Sequence, residues 1–129
     1  DSAPEVVRAA AYVIARNRLP GGVRALLAQR AHPDEEVRQH VARALARTQL
    51  GDSLSAPAIE ALRVLLTDPS ERVRVNAVRS AATHGDALAE QVIARFADSA
   101  PNVRVAAAEG FADVAQRDVS RWTRAWAAD

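Results

Sequence analysis

Four kinds of side chain in this 129-residue chain could carry chemistry: a serine behind a glycine, three histidines, a large set of arginines and two tryptophans. Ser53, within Gly51-Asp52-Ser53-Leu54, offers a hydroxyl that an adjacent base could turn into a nucleophile. His32, His40 and His84 could ligate a metal, but none is four residues from another, the spacing that puts two imidazoles on one helix face. All 17 basic residues are Arg, whose planar fork suits carboxylates and phosphates. Trp122 and Trp126, four apart, could anchor a partner or close one end of a helical stack. Cys is absent, which removes disulfides, thiolate metal sites and cysteine nucleophiles and fits either side of a membrane. With 16 acidic residues against the 17 Arg, the net charge of +1 excludes a basic tail or an acidic solvating segment and leaves room only for a local basic patch.

The elements that must position these groups follow from a repeat. Pro, a short polar stretch, Val-Arg and a small-residue helix recur at Pro4–Arg8, Pro33–Arg38, Pro69–Arg74 and Pro101–Arg104. Arg8 to Arg38 is 30 residues, Arg38 to Arg74 is 36 and Arg74 to Arg104 is 30, the unit size of a two-helix solenoid repeat. Each unit is expected to break in its middle, at Gly21, Gly51, Gly85 and Arg117. A left-handed Gly would end the first helix, and Asp52, Asp86 or Asp118 would cap the second. The apolar stripes are helical, as in Val37, Val41, Ala44 and Leu45 of a first helix or Ile59, Leu62 and Leu66 of a second. With 49% hydrophobic and only 4% aromatic residues, burial must come from many small contacts between closely approaching helices. The expected pairs are 4–17 with 21–31, 33–48 with 55–67, 69–83 with 86–97, and 101–115 with 118–128. The third unit has the shorter first helix, and Ser53 to Pro57 is an extra stretch ahead of the second unit's second helix.

Pro33-Asp34-Glu35-Glu36-Val37-Arg38, its three copies and the mid-repeat Gly-Asp resemble the HEAT repeat family, in particular the short bacterial PBS-lyase HEAT-like repeats. The resemblance covers essentially the whole chain. It implies an all-α fold, an α-solenoid (alpha-alpha superhelix) of about four HEAT-like helix pairs. The chain then reads as a single armadillo-like helical repeat domain, 1–129, with units at about 1–31, 32–67, 68–98 and 99–129, and as a piece of a longer protein.

That frame reassigns the reactive groups. Gly51-Asp52-Ser53-Leu54 is the signature of one family of serine esterases, yet no strand precedes it to form a nucleophile elbow. Those esterases also carry Asp-x-x-His, and Gln29, Val37 and Ala81 stand three residues before the three histidines. No catalytic, cofactor or metal residue is therefore assigned. His32 reads as a linker residue, His40 as a solvated helix residue and His84 as a helix C-terminal residue suited to the dipole. The marker residues Arg8, Arg38, Arg74 and Arg104 are expected to form a structural ladder with neighbouring carboxylates such as Asp34, Asp68 and Asp98. In HEAT solenoids the second helices line the concave face. The resemblance therefore implies a candidate binding surface of Arg24, Glu60, Arg63, Gln91, Arg95, Arg121 and Arg124, with Trp122 and Trp126 as an end-cap or interface.

The expected function is a non-catalytic protein–protein interaction scaffold that binds another protein, or another domain of its parent chain, on the concave face. The alternatives are a phosphate-backbone-binding module, as in HEAT-like DNA glycosylases, a lyase-type subunit acting on a chromophore protein, and a purely structural spacer. No membrane partner is expected.

Overall fold

The computed structural model describes residues 3–19, 21–47 and 50–127; within the last helix the side chains of Val114 and of 117–127 lie outside the description. The described residues form helices and turns: α1 Pro4–Asn17, α2 Gly22–Leu27, α3 Glu35–Ala44, α4 Asp52–Leu65, α5 Glu71–Ala82, α6 Ala89–Ala94 and α7 Pro101–Ala127. Two short 3₁₀ turns, Gly85–Leu88 and Arg95–Ala97, flank α6. The first helices of the units, α1, α3, α5 and α7, stack side by side, and α2, α4 and α6 form a second layer whose members approach one another less closely. This is an α-solenoid of helix pairs.

Local chemistry sets the helix starts. Pro4 opens α1, where its missing N–H costs nothing. The Asp34 carboxylate accepts from the N–H groups of Glu36 and Val37 at 2.9 and 3.3 Å, and the Ser70 hydroxyl accepts from Val73 N–H at 3.5 Å. At the mid-repeat breaks the details differ from expectation. Gly21 and Gly85 take positive φ, 75° and 62°, but Gly51 is extended at φ −81° and precedes α4 as its N-cap. The left-handed residue that ends α1 is Arg18, at φ 52°. Asp52 lies inside α4 and Asp86 inside a 3₁₀ turn, so neither is at the capping position. Ser53–Pro57 is the first part of α4 rather than an insertion before it, with Pro57 inside the helix. At 12 residues α5 is longer than α3, at 10, because it runs on through Ala82 before the turn at Gly85.

The largest correction concerns the fourth unit. Its expected break at Arg117-Asp118 does not occur, and α7 runs from Pro101 to Ala127 as one helix of 27 residues. The other breaks have a glycine, whereas Arg117 is a good helix former. One result is visible at Phe111. The equivalent residues Ala15, Leu45 and Ala81 are buried under their units' second helices, whereas Phe111 is 40% exposed and meets Phe96 edge-on, ring centroids 5.6 Å apart.

The core runs between the layers, through Val37, Val41 and Leu45 of the second unit, Leu62, Leu65 and Leu66 of α4, and Val73, Val78, Leu88, Val92 and Val103 further along. Alanines such as Ala44, Ala77, Ala81 and Ala107 are fully buried, so the first helices can approach closely. At Gly110 a Cβ would fall 2.8 Å from the Ala82 Cβ, so only glycine fits where α7 crosses α5 without a shift.

Side chains of the third unit also finish the second. Ser80 Oγ donates to Ala42 O at 2.6 Å and the His84 ring bonds Leu45 O at 2.8 Å. These carbonyls belong to the end of α3, where the helix has no partners of its own. Arg47 N–H in turn donates to Thr83 Oγ1 at 2.8 Å. The end of α3 is thus capped by the end of α5.

Candidate interaction surface

The marker arginines occupy equivalent positions, and Arg38 and Arg74 make the same full set of bonds. Arg38 donates through Nε and Nη2 to both oxygens of Asp68, at 2.8 and 3.2 Å, and through Nη1 to the carbonyls of His32 and Pro33, at 2.8 and 3.0 Å. Arg74 repeats the set with Asp98, at 3.0 and 3.1 Å, and with the Asp68 and Pro69 carbonyls. Arg104 keeps the carbonyl half, donating to Asp98 O and Ser99 O. Arg8 lies 3.6 Å from Asp34 and 3.4 Å from Glu36. Each acceptor also shapes its own linker, since Asp68 and Asp98 take the N–H groups of Ser70 and Ala100, both at 2.9 Å. His32 holds the equivalent place in the second unit, and its Nδ1 takes Asp34 N–H at 3.0 Å.

Burial decides what these groups can do. The Asp68 and Asp98 side chains are only 7% and 4% exposed, so each is committed to its arginine. The bond to Asp68 outweighs burial and holds the Arg38 guanidinium above its ordinary pKa. Burial alone would push the Asp98 carboxyl up, but the bonds from Arg74 and Ala100 and the nearby charges of Arg74 and Arg95 bring it below the usual carboxylate range.

His40 lies elsewhere than expected, and His84, just past the end of α5 as expected, bonds across to the neighbouring unit. His40 is buried rather than solvated, edge-on to Tyr12 at 5.6 Å and 3.9 Å from Glu36, because α1 stacks over its face of α3. Burial, helped by Arg43 and opposed by Glu36, lowers its pKa. A lowered folded value means that stability is complete above about pH 6.5 and is lost as pH falls through the folded value. His40→Gln is expected to flatten the drop in urea midpoint between about pH 7.5 and about pH 5, and an unchanged drop would refute a buried neutral His40. His84 is also buried and is bound to Leu45 O, as described above. The three imidazoles have separate protein partners, and no group of three or more metal-binding side chains occurs among the described residues.

The second-helix residues do not align into a row. Arg24 lies 14 residues before the next marker Arg38, Arg63 lies 11 before Arg74, and Arg95 lies nine before Arg104. Arg95 therefore takes the place of the core residue Leu65. It turns inward, donating to Leu66 O at 3.2 Å and lying 3.6 Å from Asp98. Arg63 is paired with Glu60 on the same helix. Arg24 is exposed and Gln91 half-buried, while Arg121, Arg124, Trp122 and Trp126 lie outside the described side chains.

The first-helix layer carries a surface that residue-type reasoning missed. Between α3, α5 and α7 runs a groove of about 400 Å³, lined by Gln39, Arg72, Val75, Asn76, Arg79, Asn102, Val105 and Glu109, among others. These residues recur at fixed offsets from the markers: Arg72 and Asn102 two before, Gln39, Val75 and Val105 one after, Arg79 and Glu109 five after. That register is the signal by which the sequence could have revealed them. Val105 is 56% exposed on the floor, and Asn102 donates to Glu71 at 3.0 Å on the rim. Arg72 and Arg79 form no ion pair among the described residues.

No helix among the described residues is long and apolar enough to cross a membrane. No curated protein and no solved structure matches the chain. A family profile described as HEAT repeats matches residues 23–112, well over half of the sequence. It spans α2 through the first turns of α7 and takes in three of the four marker arginines. Stacked helix pairs, a recurrent Asp–Arg pair between units and this match agree: the chain belongs to the HEAT repeat family.

Proposed function

We propose that the protein is a non-catalytic scaffold that binds a segment of a partner protein, and that the groove across α3, α5 and α7 is its principal docking surface. HEAT repeats generally mediate protein interactions, and the groove supplies what such a contact uses. Val75 and Val105 provide an apolar floor, and Arg72, Asn76, Arg79 and Asn102 provide donors around it. The observation that carries the reading is that Arg72 and Arg79 lie on this groove without an ion pair, while Arg38, Arg74 and Arg95 are committed to internal carboxylates. Free forks beside an apolar floor suit a segment with an acidic group. Glu71 and Glu109 on the same rim disfavour a continuous phosphate backbone, which distinguishes this reading from nucleic-acid binding.

A second surface has a specific observation in its favour. On the second-helix side Val64 is 69% and Ile93 42% exposed, near Arg63. The concave-face reading through Arg24, Glu60, Arg63 and Gln91 rests on that patch.

Affinity capture with the whole chain, at low and at high salt, compares wild type with Arg72→Glu/Arg79→Glu and with Arg24→Glu/Arg63→Glu. The groove reading predicts one discrete protein partner, lost or weakened at least about tenfold by the first pair and retained by the second. Loss with the second pair alone moves the site to the second helices. Recovery of nucleic acid that washes off with salt overturns the protein-binding reading.

A further inference from the structure

Among the described residues, one face of α1 is an open and almost wholly apolar surface. Val6 is 60% and Val13 44% exposed, Ala9 and Ala10 are exposed, and Ile14 is half-buried beside them. The repeat register shows how unusual this is. Ala10 and Ile14 correspond to His40 and Ala44 in α3 and to Ala106 and Gly110 in α7, all of them buried by the first helix of the preceding unit. Val6 and Val13 correspond to Glu36 and Arg43, Arg72 and Arg79, and Asn102 and Glu109, positions that face water and are polar in every later unit. On α1 the apolar character thus extends past the stacking face onto the outer face.

We propose that this face is covered by the same face of a second copy of the chain, with the two α1 helices antiparallel about a two-fold axis between Ala9 and Ala10. The pattern is self-complementary. Val6 and Val13 are each placed symmetrically about that point, as are Ala9 and Ala10, so antiparallel pairing sets Val6 against the partner's Val13 and small residues at the crossing. Charge agrees. Glu5 and Arg16 lie on the same edge of the face at opposite ends of α1, so each Glu5 falls near the partner's Arg16. The interface also continues one that already exists, the side-by-side stack of α1, α3, α5 and α7. A preceding unit in the same register fits less well. Its marker arginine needs an acid like Asp34, Asp68 or Asp98, four or six residues before the next marker, and those places hold Pro4 and Ser2 here.

Sedimentation equilibrium on the 129-residue chain is expected to give twice the 13.8 kDa chain mass at micromolar concentration. Val6→Glu/Val13→Glu is expected to abolish the dimer while leaving the thermal melt of the fold in place, because both side chains are exposed. Glu5→Arg weakens association, and Arg16→Glu in the same chain restores it. Since the chain has no cysteine, Ala10→Cys supplies a readout that does not depend on a disruptive variant. Mild oxidation should trap it as a disulfide-linked dimer, and Val64→Cys on α4 should stay monomeric. A monomer at every concentration, a dimer indifferent to Val6→Glu/Val13→Glu, or equal trapping at positions 10 and 64 would each overturn the proposal.

Discussion

Replacing Arg38 with Met is expected to cost about 3–5 kcal/mol of folding stability, among the largest losses any single side chain on the ladder can cause. The cost comes from what remains. Asp68 is 7% exposed and would keep a buried negative charge with only Ser70 N–H to satisfy it. The carbonyls of His32 and Pro33 would lose their shared donor as well. Arg74→Met is expected to cost less, because Arg95 lies 3.6 Å from the stranded Asp98 and supplies a second cation. Removing both charges, as in Arg38→Met/Asp68→Leu, should recover part of the loss, since an apolar pair leaves no unpaired ion behind. Urea denaturation of the four forms gives the coupling directly. Strictly additive losses would show that Arg38 and Asp68 are not energetically paired. The Asp98 carboxyl adds a pH signature. Its folded pKa is depressed, so its contribution is complete above the ordinary carboxylate range and is lost as pH falls through the folded value.

The second large effect is at Leu62. This residue is fully buried in α4, at the position occupied by Leu26 in the first unit and Val92 in the third, and so lies in the middle of the stack. Leu62→Ala is expected to destabilise the protein by about 2–5 kcal/mol, toward the upper end if the surrounding side chains cannot collapse into the gap. Val64→Ala, two residues away, serves as the control, because Val64 is 69% exposed and its loss removes little buried area. Equal melting shifts for the two would mean that α4 does not present the face assigned to it.

Much of this framework was legible in the sequence, because the repeat brings like residues to like places. The 30- and 36-residue spacings place Arg38 beside Asp68 and Arg74 beside Asp98 once helix pairs are stacked. The helical stripes likewise anticipate Val37, Val41, Leu45 and Leu62 as core. Three of the misses share a physical cause: each depends on what another unit does. His40 is a polar residue on a helix face that looks solvated until α1 covers it with Tyr12. His84 finds its acceptor at Leu45 O, 39 residues away, where no local rule points. Arg95 looks like one of a set of surface arginines, but counting back from the next marker puts it in the place of Leu65, and it turns inward. The continuous α7 shows the limit of using a cap motif alone, since Asp118 without a preceding glycine did not stop the helix.

The proposed groove rests on the same use of register. Residue type drew attention to Arg63 and Arg95, whereas register separates an arginine already committed to a carboxylate from one that is free. Arg72 and Arg79 flank Val75 and Asn76 on α5, and Val105 and Glu109 continue the surface on α7.

The most direct measurement of that account is side-chain footprinting by hydroxyl radicals on the complex with the captured partner, compared with the free chain. Val75 and Val105 should become protected on binding, while Val64 and Ile93 keep their reactivity. Protection of Val64 and Ile93 with Val75 and Val105 unchanged would place the partner on the second helices and contradict the assignment of the groove.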